Sequence, residues 1–519
     1  MRALKLLLYT LPIHLASASP EQHVLQPADQ HPLAPLDGGQ KPLPEHPETF
    51  PAFLDALDVL QADYFAIWQG LWPTGIDWTS AVIGTHVSAS LSTLSSSFSS
   101  LTSSKSKENL VNKYFSQLVA SYFGQDAFAL RQEAYDDILW VVLGWVESIK
   151  FINQHNTLHY KNEGEAWYGT QWIPAFAHRA RLFWNLASQG WDTSLCSGGM
   201  IWSPWLEPYK NAITNELYIA ASISMYLYFP GDENTSPFSI PNTITTPGRH
   251  PAKDPKYLAA AVEAYKWLNA SNMTDAAGLY VDGYHITGYT SNRSRRSNTR
   301  CDARNEMVYT YNQGVLLTGQ RGLYEATGAR SYLSDGHALI RNVISATGFN
   351  NTKAETDKWQ GLGRNGIMEE SCDAPGYCSQ DGQTFKGIFF HHLTAFCARL
   401  PDHITTEKEM DKHVLEQIRK WHDKQCASYV PWIRVNARAA LGTRDEEGRF
   451  GMWWGAPSHH HNIQLPELPD EAVDYRNLGV PAQWKEDGTH KRRGEMGMGE
   501  TAGQGIGATD LNSRGRGRT

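Results

Sequence analysis

The chain has 519 residues, a formal net charge of −8 and a pI near 6.2. This charge argues against a nucleic-acid partner, because neutralising phosphates requires a basic face. The length allows two to four ordinary domains or one large barrel. Aromatic residues make up 11% of the chain, including 18 Trp, which suits a large core first and a sugar-stacking cleft second.

The N-terminal segment reads as a secretory signal peptide. Arg2 and Lys5 precede an apolar stretch, and Ala16-Ser17-Ala18 offers a small-residue cleavage site. We expect residues 1–18 to be removed and the product to be secreted, extracellular or cell-wall associated. No other run is long and apolar enough to span a bilayer, and the C-terminal residues lack the apolar tail of a lipid-anchor signal, so no membrane anchor is expected.

Export favours disulfide bonds among the six cysteines. Cys372 and Cys378 flank Pro375-Gly376 and form the predicted local pair, whereas the pairing of Cys196, Cys301, Cys397 and Cys426 stays open. The spacing indicates no metal site, and no cofactor is expected. Five sequons agree with an exported glycoprotein; they begin at Asn234, Asn269, Asn272, Asn292 and Asn350.

Residues 19–48 are rich in Pro, His and Gln, as linkers are. Beyond them, apolar residues recur at intervals of three and four, which predicts helices. The predicted helical segments lie within 50–72 and 81–101 and at about 110–124, 137–153, 166–189, 211–228, 256–270, 307–327, 330–346, 383–400 and 407–424. Because strand-like alternation is nearly absent, we predict an all-α domain over residues 49–442.

Several predicted helices are apolar nearly all round, as in 138–146 and 219–229. Helices of this kind are buried on every side, which indicates an inner ring of helices wrapped by an outer one. A helical solenoid is the alternative, but no repeat of fixed period is present. Residues 443–519 are polar and rich in Gly, and we predict a disordered tail.

Two adjacent carboxylates, Asp136 and Asp137, precede the apolar run at 138–146. Adjacent buried carboxylates repel each other, which drives one pKa upward. Glycoside hydrolysis needs this split, since one carboxyl group donates a proton while the other attacks as an anion or acts as a base. The alternative is that one Asp caps the following helix and has no catalytic role.

The Asp pair and several glycine-marked loops together resemble glycoside hydrolase family 76, the α-1,6-mannanases and related fungal cell-wall enzymes. The matching motifs occur in family order over roughly residues 60–400: Tyr135-Asp136-Asp137 with Trp140, Gly190-Trp191-Asp192, Cys196-Ser197-Gly198-Gly199-Met200-Ile201-Trp202, Lys210-Asn211-Ala212-Ile213-Thr214-Asn215-Glu216-Leu217, Val281-Asp282-Gly283, Tyr309-Thr310-Tyr311-Asn312-Gln313-Gly314, Gly366-Ile367-Met368-Glu369 and Phe385-Lys386-Gly387-Ile388. The family usually has three glycines after the cysteine, and Ser197 replaces the first of them here.

The resemblance implies an (α/α)6 barrel that cleaves α-1,6-linked mannose with retention, with Asp136 as nucleophile and Asp137 as general acid/base. Side chains expected to bind the sugar are Trp140, Trp202, Asn211, Asn215, Asp282, Tyr311, Asn312, Gln313 and Lys386. Core packing for the two tryptophans, a helix-capping role for the two asparagines at 211 and 215, and a solvated surface position for Lys386 are the alternatives. We expect a monomer acting on mannan or a mannose-containing glycan.

Three other functions are compatible with an all-α chain of this kind. A transglycosylase acting on the mannose core of lipid-anchor glycans would use the same pair but usually carries a lipid-anchor signal. A non-catalytic mannan-binding protein would not need both carboxylates. A terpene cyclase needs a further acid for Mg²⁺, and Trp140 stands where that acid would follow Asp136-Asp137.

Overall fold

The structure is a computed structural model that describes residues 49–98, 104–234, 250–289, 298–349, 357–402, 404, 411–459 and 475–476. The chain divides into two units, Met1–Pro51 and Ala52–Thr519. Only residues 49–51 of the first unit are described, so the fold below is that of the second.

The described residues form mostly helix. The helices are α1 (Thr49–Asp63), α2 (Asp77–Ser96), α3 (Ser104–Gly124), α4 (Tyr135–His159), α5 (Ile173–Ala187), α6 (Ala212–Tyr228), α7 (Pro255–Ala270), α8 (Thr310–Thr327), α9 (Arg330–Ala346), α10 (Gln380–Cys397), α11 (Lys412–Leu441) and α12 (Ala456–His459). The strands are β1 (Tyr209–Asn211), β2 (Val281–His285), β3 (Ala303–Val308), β4 (Gly363–Arg364) and β5 (Ile367–Met368).

The helices form two concentric layers. Helices α2, α4, α6, α8 and α10 make an inner ring, in which each contacts the next and α10 returns to α2. Outside them, α3 packs on α2, α5 on α4, α7 on α6, α9 on α8 and α11 on α10. Helix α12, which is described over four residues, follows α11 in the chain. In chain order it has the place of the sixth inner helix. The predicted all-α (α/α)6 barrel is confirmed.

Burial separates the two layers as the sequence pattern predicts. Inner helix α6 is buried without interruption from Ala212 to Met225. Outer helix α9 buries one stripe, which includes Leu333, Ile340 and Val343, and leaves its other face toward solvent. An all-round apolar helix needs partners on every side, whereas an amphipathic helix needs them on one side only.

Glycines let the inner helices approach one another closely. A Cβ on Gly314 of α8 would lie 2.6 Å from the Phe389 Cα of α10, and one on Gly319 would lie 2.7 Å from the Ile219 side chain of α6. Any larger residue at either position would push apart the helices that carry the site.

Two features differ from the sequence-based expectation. A three-stranded antiparallel sheet, in the order β1-β2-β3, crosses the loops before α6 and α8. Its strands are too short to show alternation in the sequence. Helix α11 runs on to Leu441, well past the predicted end near residue 424, and it contains Pro431 in its interior.

Residues beyond the predicted domain end at 442 also contribute to the core. Trp453 and Ala456 are fully buried and cluster with Ala374, and the Met452 N–H donates to the Tyr475 carbonyl at 2.9 Å. The remaining predicted tail, 460–474 and 477–519, lies outside the described residues, as do residues 1–48 and the sequons at Asn292 and Asn350.

The predicted Cys372–Cys378 disulfide is confirmed. The four cysteines whose pairing was open form Cys196–Cys301 and Cys397–Cys426. Within the described part of the chain, no helix has both the length and the apolar character required to cross a membrane.

Candidate active site

The five inner helices begin at the same end of the barrel. The Trp78 indole N–H at the start of α2 donates to Asp381 Oδ1 at the start of α10, at 3.0 Å. Tyr311, near the start of α8, stacks on Phe385 of α10 with ring centroids 3.8 Å apart. The loops that precede these helices therefore meet around one site.

Asp136 and Asp137 stand in the first turn of α4 at this end. The N-cap residue of α4 is Ala134, so both carboxylates belong to the first turn of the helix rather than to its N-cap. Asp136 Oδ1 accepts the Asp137 backbone N–H at 3.1 Å. The two residues are only 9% and 5% exposed, so both carboxyl groups are buried with little access to water.

Trp202 holds the other oxygen of Asp136. Its indole N–H donates to Asp136 Oδ2 at 3.0 Å, while its carbonyl accepts the Tyr135 N–H at 2.8 Å. Trp202, for which the sequence predicts a stacking role, thus also contacts the predicted nucleophile directly. A hydrogen bond to a carboxylate favours the charged form.

The loop that carries Trp202 has an unusual backbone. Cys196 and Ser197 have φ angles of 56° and 58°, in the left-handed region that favours glycine. This explains why glycine usually occupies the position of Ser197 in the family. The loop is held by the Cys196–Cys301 disulfide and by a hydrogen bond from the Cys196 N–H to the Thr299 carbonyl at 2.8 Å.

The two carboxyl groups have different environments and both have raised pKa values. Burial raises the pKa of Asp136 to about 7, against the lowering effect of its backbone and Trp202 hydrogen bonds. Burial also raises the pKa of Asp137 well above its usual value, and the negative charges of Asp136, Glu133 and Asp381 raise it further. The Trp202 hydrogen bond favours the charged form of Asp136, whereas the neighbouring negative charges disfavour the charged form of Asp137.

Asp282 on β2 faces the same site. Its Oδ2 accepts the Tyr209 hydroxyl at 2.5 Å and the Asn305 amide N–H at 2.9 Å. Burial raises its pKa, and its charge in turn raises that of Asp136. Gly283 lets β2 approach β1, because a Cβ there would lie 2.5 Å from the Lys210 carbonyl oxygen.

Asn312 and Asn211 also lie beside the site. Asn312 lowers the pKa of Asp282 as a neighbouring amide, yet within the described structure neither its Oδ1 nor its Nδ2 has a hydrogen-bond partner of good geometry. Asn211 is the N-cap residue of α6 but makes no side-chain capping bond. Its buried Oδ1 likewise lacks a partner among the described residues, so both amides keep hydrogen-bonding capacity that these contacts do not use.

Tyr311 lies among the acids. The charges of Asp282, Asp136 and Asp381 all act on its hydroxyl and, with burial as the largest cause, raise its pKa. Its ring is half-buried against Phe385. This placement agrees with the predicted sugar contact.

Three predicted contact residues instead stabilise the fold around the site. Trp140 is buried and stacks on Trp78 with centroids 5.9 Å apart, as the core-packing alternative states. The Asn215 Oδ1 accepts the Met200 N–H at 2.7 Å, and its Nδ2 donates to the Asn211 carbonyl at 2.8 Å. The Gln313 amide bonds both the N–H and the carbonyl of Tyr280, each at 2.8 Å.

Lys386 matches neither of the two interpretations made from the sequence, a sugar contact and a solvated surface position. It is buried, and its Nζ lies 2.6 Å from Asp373 Oδ2. The ammonium group is thus neither on the surface nor available to a sugar, because it neutralises a carboxylate in the interior. Its partner stands 13 residues earlier in a loop, where sequence spacing gives no sign of the pairing.

Other site residues escaped the sequence analysis. Tyr209, Asn305 and Trp78 carry no recognisable motif of their own. Asp381 stands four residues before Phe385, one helical turn away on α10, and that spacing from a matched motif was the available signal. Glu370 accepts both the N–H and the hydroxyl of Thr310 and thereby caps α8, just before Tyr311.

Two other features of the barrel do not belong to the site. A cavity of about 100 Å³ lies between α2, α3 and α4, lined by Leu118, Val141 and Trp145 among others. His337, His422 and Cys426 are the one group in the described chain with side chains close enough to hold a metal ion. The Cys426 sulfur is bonded to Cys397 and is not a free thiolate.

The chain is similar to several known proteins. The family model described as glycosyl hydrolase family 76 matches residues 248–458, a range that excludes the Asp pair. The mannan endo-1,6-alpha-mannosidase DCW1 of Candida glabrata is 23% identical over 238 residues, which is 44% of this chain and 42% of the relative. The mannan endo-1,6-alpha-mannosidase DFG5 of Saccharomyces cerevisiae is 25% identical over 340 residues, which is 63% of this chain and 59% of the relative.

Solved structures give similar matches. An inactive variant of the alpha-1,6-mannanase GH76A of Salegentibacter sp. HEL1_6, in complex with alpha-1,6-mannotriose, has 16% identity and a TM-score of 0.49, covering 85% of this chain and 98% of that one. Dfg5 from Chaetomium thermophilum in complex with glucosamine has 17% identity and a TM-score of 0.49, covering 83% and 87%.

The chain spans about two fifths of the length of the first curated relatives it matches. The family model that matches the chain is that of the family which the motifs resemble. The resemblance of the chain to glycoside hydrolase family 76, which its motifs predict, is therefore confirmed.

Proposed function

We propose that the protein is a retaining glycoside hydrolase that cleaves α-1,6-mannosidic linkages in mannan or cell-wall glycans. The observation that carries the proposal is the buried Asp136–Asp137 pair, in which Trp202 donates to Asp136 while the charges of Asp136, Glu133 and Asp381 disfavour ionisation of Asp137. One ionised and one protonated carboxyl group are what glycoside hydrolysis requires, and adjacent residues in one helical turn suit the shorter carboxyl separation of a retaining enzyme.

In the first step, an oxygen of ionised Asp136 attacks the anomeric carbon. The bond from that carbon to the glycosidic oxygen breaks, and the Asp137 proton passes to the leaving oxygen. The product is a glycosyl ester on Asp136 and a free sugar hydroxyl. Asp136 is suited to this role because its two oxygens are oriented by the Asp137 N–H and by the Trp202 indole.

In the second step, Asp137 is ionised and accepts a proton from water. The water oxygen attacks the anomeric carbon from the face that the leaving sugar vacated, and the ester bond to Asp136 breaks. Two inversions give net retention. Asp282, held by Tyr209 and Asn305, and the unpartnered amide of Asn312 border the space where the sugar hydroxyls would lie.

The substrate class is supported by the relatives. The matching curated proteins are named mannan endo-1,6-alpha-mannosidases, and we assign α-1,6-linked mannose to this chain on that basis. Neutral hydroxyl donors also suit a site with four carboxyl groups, Asp136, Asp137, Asp282 and Asp381, which disfavours an anionic substrate.

The test is proton NMR of the purified protein with a linear α-1,6-linked mannotetraose. We expect the α-anomer of the products to appear before mutarotation. Asp136→Asn and Asp137→Asn should each abolish turnover while keeping the fold, whereas Asp423→Asn, which removes an exposed carboxylate on α11, should have no effect.

Two outcomes would change the assignment. Transfer to an added acceptor sugar without free reducing ends would indicate a transglycosylase that uses the same covalent step. Turnover at the wild-type rate in either folded Asn variant would remove the pair from the mechanism.

We also propose that the protein is exported and glycosylated. Two observations support this: the sequon residues Asn234, Asn269 and Asn272 are all exposed, and three disulfides are formed. Expression in a fungal secretory host should give a product that begins near Ser19 and loses mass on treatment with an N-glycosidase. A cell-retained, unmodified product would contradict export.

A further inference from the structure

Two loop segments run antiparallel beside the Asp pair. The Tyr135 N–H donates to the Trp202 carbonyl at 2.8 Å, and three residues further along the second segment the Trp205 indole N–H donates to the Gln132 carbonyl at 2.7 Å. The segment 202–205 is thus attached at both ends to the segment 132–135, which leads directly into the catalytic turn of α4.

Trp205 has an exposed ring in a fixed position. Its side chain is 66% exposed, although its one polar atom is bonded to the Gln132 carbonyl and its backbone N–H donates to the Ser203 hydroxyl at 3.2 Å. A large aromatic ring left in water forgoes the free energy of burial. A ring that is also tethered offers a flat apolar surface without the usual cost of ordering a flexible side chain.

The position of Trp205 is close to the reacting groups. Three residues of extended chain span at most about 11 Å, so the Trp205 backbone lies within that distance of Trp202. The Trp202 indole in turn touches Asp136. This distance is about the length of one or two sugar rings, counted from the bond to be cleaved.

We propose that the Trp205 ring is a stacking platform for a mannose ring of the α-1,6-linked chain, one or two units from the cleaved bond. The inference rests on the proposed function. A pyranose presents an apolar face of C–H groups that packs flat on an indole, while its hydroxyls stay in water at the rim. Such a platform makes the enzyme prefer chains long enough to reach it.

The surroundings favour a neutral sugar over other occupants. Glu207 stands two residues after Trp205, and Glu133 follows Gln132, whose carbonyl accepts the Trp205 indole N–H. An acidic lipid headgroup or a phosphorylated partner would be repelled there. A neutral glycan that already occupies the adjoining site reaches the ring without a separate binding event.

The test measures binding without turnover. In the Asp136→Asn/Asp137→Asn background, calorimetric titration with α-1,6-linked mannotriose and mannopentaose is compared between chains with Trp205, Trp205→Phe and Trp205→Ala. We expect Trp205→Ala to weaken mannopentaose binding about tenfold, as for a lost aromatic contact. Trp205→Phe should give an intermediate affinity, because it keeps a flat ring but loses the indole N–H that fixes the ring to the Gln132 carbonyl.

The matched control is Trp68→Ala. Trp68 is 81% exposed, and its turn packs against outer helix α3, where Gly70 adjoins Gly124. It should leave binding unchanged. With Asp136 and Asp137 intact, Trp205→Ala should raise KM for mannopentaose about tenfold and leave kcat within about twofold, because the platform lies outside the reacting bond.

The outcomes separate the two proposals. If wild-type protein cleaves mannopentaose and Trp205→Ala binds and cleaves it equally well, the platform is refuted and the proposed function stands. If wild-type protein neither binds nor cleaves any α-1,6-linked mannooligosaccharide, the proposed function fails, and the platform fails with it. If Trp68→Ala lost as much affinity as Trp205→Ala, a specific role for Trp205 would also be refuted.

Discussion

Asp136 and Asp137 are neighbours in the chain, but different groups surround them. The Trp202 indole and a backbone N–H stabilise the charge on Asp136, while Asp137 faces the negative charges of Asp136, Glu133 and Asp381. In the proposed mechanism this difference makes Asp136 the nucleophile and Asp137 the acid. Because the two groups interact, their titration is a property of the pair.

The Trp202 hydrogen bond should be visible in the pH profile. Turnover needs Asp136 ionised, so kcat/KM should rise as pH increases through the lower apparent pKa of the pair, near 7 rather than near the 3.9 typical of Asp. Trp202→Phe removes a donor that favours the anion, which raises this pKa. We expect the acidic limb to move up by roughly one pH unit.

Measurement of kcat/KM on mannotetraose between pH 4 and 9 checks this, with Trp68→Phe as the control that should not move. An unchanged acidic limb in Trp202→Phe would mean that Trp202 does not stabilise the charge on Asp136.

Glu216 is a buried carboxyl group that the mechanism does not use. It is 0% exposed, and neither oxygen has a hydrogen-bond partner in the described part of the chain. Burial, reinforced by the charge of Asp282, raises its pKa well above the usual value. Its pKa is thus higher in the folded than in the unfolded state. The contribution of Glu216 to the free energy of unfolding is therefore complete below about pH 4.3 and declines as pH rises toward the folded-state pKa.

Glu216→Gln should therefore stabilise the protein at neutral pH. The amide cannot ionise, so we expect a gain of more than about 1 kcal/mol at pH 7 that disappears near pH 4. Denaturant unfolding at both values measures it, with exposed Glu163→Gln as the matched control. A loss of stability at pH 7 would show that the Glu216 carboxylate has a partner when ionised.

At the scale of residues, the sequence indicated the candidate catalytic pair better than it indicated which polar side chains bind the protein itself. The Asp pair was recognisable because charge at the start of an apolar helix is unusual. Asn215, Gln313 and Lys386 matched family motifs equally well, yet their polar atoms bind the protein itself. A motif shows that a residue type is required, but only the fold shows which neighbour requires it.

Loops and disulfides set the shape of the site at the scale of elements. The Cys196–Cys301 bond links residues 105 apart and joins the Trp202 loop to the segment before β3, whereas Cys372–Cys378 closes only six residues. Loop-closure entropy makes the longer link more stabilising.

Replacing each pair by serine should separate the two effects. The Cys196→Ser/Cys301→Ser variant should lose about 4–5 kcal/mol of unfolding free energy, against about 2 kcal/mol for Cys372→Ser/Cys378→Ser. Chemical denaturation under non-reducing conditions measures both. Equal losses would indicate that the unfolded chain already restricts the long loop.

The helices were predictable and the strands were not. Helices α7 and α9 match their predicted ranges to within a residue because their apolar stripes are regular. Strand β1 has three residues, and the last of them, Asn211, lies in the range 211–228 for which the sequence predicts a helix. The pairing that defines it, Asn211 with Gly283, joins segments about 70 residues apart, which a local pattern does not reveal.

At the scale of the whole molecule, the barrel core extends past the domain end predicted at residue 442. Trp453, which is 0% exposed, packs with Ala374 and Ala456. Ala374 lies in the loop that supports Lys386 through Asp373. The apolar run Met452-Trp453-Trp454 stands within a polar segment and is too short to show a helical periodicity, so its burial was not predicted.

Two truncations test the boundary. A chain ending at Gly442 should lose about 3–5 kcal/mol of stability through the missing Trp453 side chain, whereas one ending at Arg476 keeps every contact described here. Thermal unfolding compares both with the full chain, and Trp453→Ala provides a point variant. Equal melting temperatures for all of them would place the end of the folded domain at residue 442.

The common direction of the inner helices has an electrostatic consequence. Each helix carries a partial positive charge at its N-terminus, where backbone N–H groups are free of helical partners. In this barrel the starts of α2, α4, α6, α8 and α10 meet at the site. The polypeptide backbone itself thus contributes a positive potential at the end of the barrel where Asp136 lies.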